Sequence, residues 1–283
     1  MIRLLLSSLL LLSASLAWAV PPRIPALVQP ASGERLPGKI IWADLVSTEP
    51  NASARFYGAL LGWSSRTLSS DTGKYTVLAT SEGPVVGVAR GPDRKDDRPS
   101  ARWIPFFSRS DLSGAETAIA ASGGDLVAPT ASLPERGAQL IATDGEGALF
   151  GLMRSSSGDP ADKTVPEGGL FWANLFSESP ATAASFFQAV AGLNGSSSGS
   201  SSYTLSAGGK ARASISPIEG KTSVTSTWVP YFRIGDFERK LTLARRLGAK
   251  IAIEPRTFGN GTRVVVLVDP LGAVFALTQI NSN

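Results

Sequence analysis

The chain contains one structural unit twice. Trp42-Ala43-Asp44-Leu45 returns as Trp172-Ala173-Asn174-Leu175, and at the same spacing of 130 residues Pro50 meets Pro180, Phe56-Tyr57 meets Phe186-Phe187 and Gly62 meets Gly192. Farther along, Tyr75-Thr76 pairs with Tyr203-Thr204, Trp103-Ile104-Pro105-Phe106-Phe107 with Trp228-Val229-Pro230-Tyr231-Phe232, and Asp144 to Leu152 with Asp269 to Leu277. So many matches in one order exclude coincidence and require two copies of the same fold. A length of 283 residues with 43% hydrophobic content agrees, being too long for one ordinary core and apolar enough for two.

Each copy is itself a pair of similar pieces. A strand-like run from Ile40 to Val46 leads into a helix in which Ala52, Phe56, Ala59 and Leu60 share a face and Gly62 supplies the stop. Ser179-Pro180 opens the equivalent helix as a cap followed by proline in the first turn, where the missing N–H costs nothing. Trp103 to Ser108 begins a second piece, with Asp111 capping a helix through Ala121 and Gly123 ending it; Trp228 to Ile234, Asp236 and Gly248 repeat those roles. Short alternating or β-branched stretches follow every helix: Tyr75 to Ala79, Pro84 to Arg90, Gln139 to Thr143 and Thr262 to Val268. Asp269-Pro270-Leu271-Gly272 carries turn residues at the first, second and fourth positions. The pattern predicts an α+β chain of four βαβββ modules in two pairs.

Trp42 through Tyr57, Leu61-Gly62-Trp63, Trp228 to Phe232 and Asp269 to Ala273 together resemble the vicinal-oxygen-chelate superfamily of glyoxalases, bleomycin-resistance proteins and extradiol dioxygenases, over residues 38–153 and 168–278. That resemblance implies modules paired into two cupped sheets with helices outside, and in the metal-using members His, His and Glu ligands on the first, fifth and last strands. Counted onto this chain, those positions are Trp42, Trp103 and Gly151 in the first copy and Trp172, Trp228 and Ala276 in the second. None of these side chains coordinates a divalent ion.

The chain has no histidine and no cysteine, which removes every nitrogen and sulfur ligand used for tight zinc, iron or nickel binding. Asp44, two residues beyond Trp42 and on the same strand face, has Asn174 as its counterpart, and one carboxylate is too few for a site. Asp144 and Asp269 read as turn-capping residues. The expectation is no cofactor and no metal. Catalysis is disfavoured on similar grounds, because no histidine activates the serines and no second acid falls in register with Asp44.

Tryptophan at the ligand positions converts each cup into an aromatic surface with an N–H donor. The expected ligand-binding residues are Trp42, Asp44, Trp103, Phe107 and Met153 in the first copy, and Trp172, Asn174, Trp228, Phe232 and Thr278 in the second. Three functions follow: a metal-free binder of a small apolar or aromatic molecule, a lyase- or dioxygenase-like enzyme using carboxylate ligands, or a structural or interaction module whose tryptophans fill the cups.

Residues 1–19 read as a signal peptide: Arg3, an apolar run from Leu4 to Leu16, and cleavage after Ala17-Trp18-Ala19. An extended leader over 20–37, a first domain over 38–154, a linker over 155–167 and a second domain over 168–280 complete the division. The address is periplasmic or secreted, with no membrane association after cleavage. A formal charge of +4 is mild, and the basic cluster from Arg90 to Arg102 is interleaved with Asp93, Asp96 and Asp97, which argues against nucleic acid.

Overall fold

A computed structural model describes residues 23–70, 73–92, 99–199, 201–218 and 225–280. The expected signal peptide and its cleavage site lie outside the described residues. The first module is β1 (Ile40–Ser47), α1 (Pro50–Leu61), β2 (Ser64–Ser70), β3 (Gly73–Thr80) and β4 (Gly83–Arg90). The second is β5 (Ala101–Ser108), α2 (Leu112–Ala121), β6 (Asp125–Leu133), β7 (Gly137–Thr143) and β8 (Leu149–Ser155). The third is β9 (Leu170–Ser177), α3 (Pro180–Ala191), β10 (Asn194–Ser197), β11 (Tyr203–Ala207) and β12 (Lys210–Pro217). The fourth is β13 (Thr227–Arg233), α4 (Phe237–Arg246), β14 (Lys250–Thr257), β15 (Arg263–Val268) and β16 (Val274–Gln279).

Local chemistry sets the helix limits. Asp111 and Asp236 accept from the backbone N–H of Gly114 and Arg239, while Gly62 and Gly192 end α1 and α3 in the left-handed conformation. Ser179 stands at the N-cap of α3 but its side chain makes no capping bond. The carboxylate of Glu146, from the other half, accepts instead from Ser177 Oγ, Ser226 Oγ and the N–H groups of Glu178 and Ser179. An anion at a helix N-terminus also meets the positive end of the helix dipole.

Two eight-stranded curled sheets result, ordered β2-β3-β4-β1-β5-β8-β7-β6 and β10-β11-β12-β9-β13-β16-β15-β14. In each, the first strands of the paired modules run antiparallel at the centre, β1 beside β5 and β9 beside β13. The helices lie outside both cups, as expected, and the two helix-bearing faces pack against each other. One core joins Phe107, Ile119 and Phe150 of the first half to Phe187, Leu205 and Trp228 of the second. The other joins Tyr57, Trp63 and Trp103 to Phe232, Leu241 and Phe275. Each module therefore covers its apolar face with a module of the opposite half. Among the described residues no helix is long and apolar enough to cross a membrane.

Candidate functional site

The register of the central strands decides which side chains enter the cups. Asp44 lies opposite Ile104 and Trp42 opposite Phe106, whereas Leu45 lies opposite Trp103. Because successive side chains alternate faces, Trp42, Asp44, Ile104 and Phe106 point into cup 1, and Trp103 and Phe107 point back into the cores between the sheets. In the second half Asn174 lies opposite Val229 and Leu175 opposite Trp228, so Trp172 and Asn174 face cup 2 while Trp228 and Phe232 face the cores. The expectation that Trp103, Phe107, Trp228 and Phe232 line the cups is thus corrected: a choice one residue off along β5 and β13 selects the wrong face. Met153 packs in cup 1, and Thr278, paired with Arg233 and Val264, shares the cup face of Ala276.

Cup 1 is closed. Trp42 Nε1 donates to Asp44 Oδ1 at 2.7 Å, and the Tyr75 hydroxyl donates to the same oxygen at 2.5 Å. Gly87, opposite Asp44, makes room for that hydroxyl, since a methyl there would collide with both Tyr75 and Asp44. The Arg136 guanidinium carbon lies over the Trp42 ring, 4.1 Å from its centroid, and the residue is 1% exposed. Burial raises the Asp44 carboxyl, opposed by hydrogen bonds from Tyr75 and Trp42 and by the charge of Arg136. Burial pushes the Tyr75 phenol well above its usual range, and the neighbouring carboxylate adds to the rise. Ile24, with Leu27 beside it, completes the apolar cluster of Ile41, Trp42, Tyr75, Phe106 and Met153. Immediately after them the leader is fastened to the segment that follows β8: Val28 N–H donates to Ser157 Oγ, and Leu36 N–H to Asp159 Oδ2 at 2.6 Å.

Cup 2 is open. Trp172 Nε1 donates to Ser214 Oγ at 2.9 Å, which donates to Asn174 Oδ1 at 2.7 Å. Ser214, opposite Asn174, holds the position that Gly87 holds opposite Asp44. At this end of the sheet a cavity of about 610 Å³ is lined by Trp172, Phe171 and Leu170 with Lys39, Arg212 and Arg233 among others. Asp162 at its rim pairs with Arg212 at 2.7 Å, Lys210 at 3.0 Å and Lys39 at 3.1 Å, and the Arg212 hydrogen bond leads in holding its carboxyl well below the usual range. Among the described residues, three buried atoms on or beside this face lack a hydrogen-bond partner: Asn174 Nδ2, Arg212 Nε and Thr278 Oγ1.

Sequence reasoning missed Tyr75, Gly87, Arg136 and Ser214. Matching Tyr75-Thr76 to Tyr203-Thr204 hid the first. In space Val77 lies opposite Gly87 and Thr204 opposite Ser214, so Thr76 and not Tyr75 corresponds to Tyr203. Arg136 follows a turn residue with positive φ, Glu135, and nothing in its sequence context signals burial.

A tightly bound divalent ion needs several donors around it. Among the described residues no group of three or more His, Cys, Asp or Glu side chains converges, and the cup-facing donors are Asp44 in one half and Asn174 in the other. These residues do not fit a divalent ion.

No family model matches the chain. The CFP32 protein of Mycobacterium tuberculosis, named after the glyoxylases, is 25% identical over 255 residues, covering 88% of this chain and 98% of the relative. The anthracycline biosynthesis protein DnrV of Streptomyces peucetius is 26% identical over 259 residues, covering 86% and 94%. Among solved structures, the Mn(II)-bound glyoxalase of Novosphingobium aromaticivorans superimposes with a TM-score of 0.56 at 19% identity, over 87% of this chain and 83% of that one. The 2,3-dioxygenase LapB of Pseudomonas sp. KL28 gives 0.57 at 17% identity, over 89% and 94%. With four βαβββ modules paired into two curled sheets and relatives matched along nearly its whole length, the chain has the fold of the vicinal-oxygen-chelate proteins and is similar to proteins of that kind.

Proposed function

We propose that the chain is an exported, metal-independent binding protein whose cup 2 takes a small, flat aromatic molecule bearing acceptor oxygens. The observation that carries this reading is the cavity of about 610 Å³ beside Trp172, with aromatic walls and a basic rim. That volume suits one small organic ligand. The indole and Phe171 offer stacking faces, and Arg212 and Arg233 offer charge to a polar edge. The unpartnered Asn174, Arg212 and Thr278 atoms supply further hydrogen-bonding capacity on the same side. The relatives named for anthracycline biosynthesis, a class built on fused aromatic rings, point the same way. Support for metal independence is the donor set, and support for export is the leader ending at Ala17-Trp18-Ala19.

Titration of tryptophan fluorescence with a panel of planar aromatic acids and quinones tests the binding. A saturable response that Trp172→Ala abolishes is expected. Silence across the panel, or metal-induced quenching reversed by chelator, contradicts the proposal. For export, mass spectrometry of protein recovered from its host should find Val20 at the N-terminus; an uncleaved Met1 overturns that part.

A further inference from the structure

Cup 1 holds a feature that closure alone does not explain. Arg136 is buried to 1% exposure, yet among the described residues Nε, Nη1 and Nη2 all lack a hydrogen-bond partner. A guanidinium carries five N–H donors in a planar fork, and burying them without acceptors is costly. The guanidinium carbon lies over the Trp42 ring, 4.1 Å from its centroid, a cation–π contact that supplies no oxygen or nitrogen acceptor. Asp44 is the nearby carboxylate, but its Oδ1 is engaged by Trp42 and Tyr75 and none of its contacts reaches Arg136 as a hydrogen bond. Trp42, over which the fork lies, belongs to an apolar cluster with Ile104, Phe106 and Met153.

From this arrangement we infer that cup 1 is a second ligand site, in which Arg136 receives the carboxylate of a small aromatic acid. A carboxylate matches the fork bidentately, satisfying two donors at once and neutralising the buried charge. The hydrocarbon part of the acid rests against Phe106 and Met153. Ile24, in the leader, closes over it, and among the described residues the leader's hydrogen bonds to the segment after β8 begin at Val28. The two cups then divide their chemistry: cup 2 presents its cations at an open rim, whereas cup 1 presents one desolvated fork under a cover.

Isothermal titration of the full mature chain with benzoate, alongside its neutral isostere benzamide, tests the site. Benzoate should bind saturably and at least tenfold more tightly than benzamide. Arg136→Met should abolish the benzoate signal while keeping a cooperative melt, because the relieved desolvation of the fork offsets the lost attraction to Asp44. Trp172→Ala should leave benzoate binding intact, which separates this site from the open cup: loss in that variant assigns the acid to cup 2 and overturns the inference. Equal affinity for the two isosteres, no benzoate heat, or unchanged binding in Arg136→Met also overturns it. A readout independent of variants is the Arg136 Nε–H proton, whose solvent exchange should slow at least tenfold on adding benzoate; unchanged exchange counts against the site.

Discussion

In cup 1 the indole of Trp42 and the hydroxyl of Tyr75 converge on the Asp44 carboxylate; in cup 2 the indole of Trp172 reaches a neutral Asn174 through the small hydroxyl of Ser214. The same strand positions thus build a closed charged centre in one half and an open neutral one in the other. The difference is a Cβ. Gly87 admits a whole tyrosine across the sheet, and Ser214 at the matching place fills that space itself. A second contrast lies between the sheets. Trp103 Nε1 donates to the Tyr57 hydroxyl at 3.2 Å, and that hydroxyl donates to Asp269 Oδ2 of the other half at 3.1 Å. At the partner position stands Phe187, so Trp228 Nε1 and Asp144 Oδ2 are both buried without a partner. One missing oxygen accounts for two orphaned groups.

The largest break in the first contrast is Gly87→Ala, which drives Tyr75 or Asp44 from its place; overpacking of this kind costs about 3 kcal/mol, read from urea unfolding. Next comes Tyr57→Phe, which makes the wired interior like its unwired partner by orphaning Trp103 and Asp269, at a cost of about 2 kcal/mol. The reverse change, Phe187→Tyr, should gain about 1 kcal/mol at neutral pH by satisfying Trp228 and Asp144 together. It also carries a pH signature. Burial leads in pushing the Asp144 carboxyl from 3.8 up to about 6, so the folded chain holds a proton that the unfolded chain has released. That group's contribution to stability is fully present below about pH 4 and is lost as pH rises through about 6. With a hydroxyl to donate to it, the carboxylate titrates lower, and the loss in Phe187→Tyr should be shallower than in wild type. The smallest effect is Ser214→Ala, about 0.5 kcal/mol, because Trp172 is only half-buried and water replaces the lost acceptor.

The module count, the pairing of modules and the capping aspartates were legible in the sequence because repetition and capping chemistry are local. The turn roles of Asp144 and Asp269 were too: each accepts from two backbone N–H groups of its own hairpin. The cup lining was only half legible. Trp42, Asp44, Trp172 and Asn174 face inward as expected, but the facing of Trp103 and Trp228 depends on the pairing of β1 with β5 and of β9 with β13, which no single strand encodes. Both pairings also carry a bulge, between Ile40 and Trp42 and between Tyr231 and Phe232, where alternation along a strand stops being a guide. Arg136 escaped notice because the ring it lies over, Trp42, comes from a distant strand, β1.

The crossed pairing of modules bears on how the chain is made. Tyr57 finds Asp269 only after another 212 residues have been synthesised. Until then the apolar flank of the first module that packs against the fourth stays bare, while the middle two modules can already close on each other. Assembly should therefore proceed from the centre outward, with the first and fourth modules joining last.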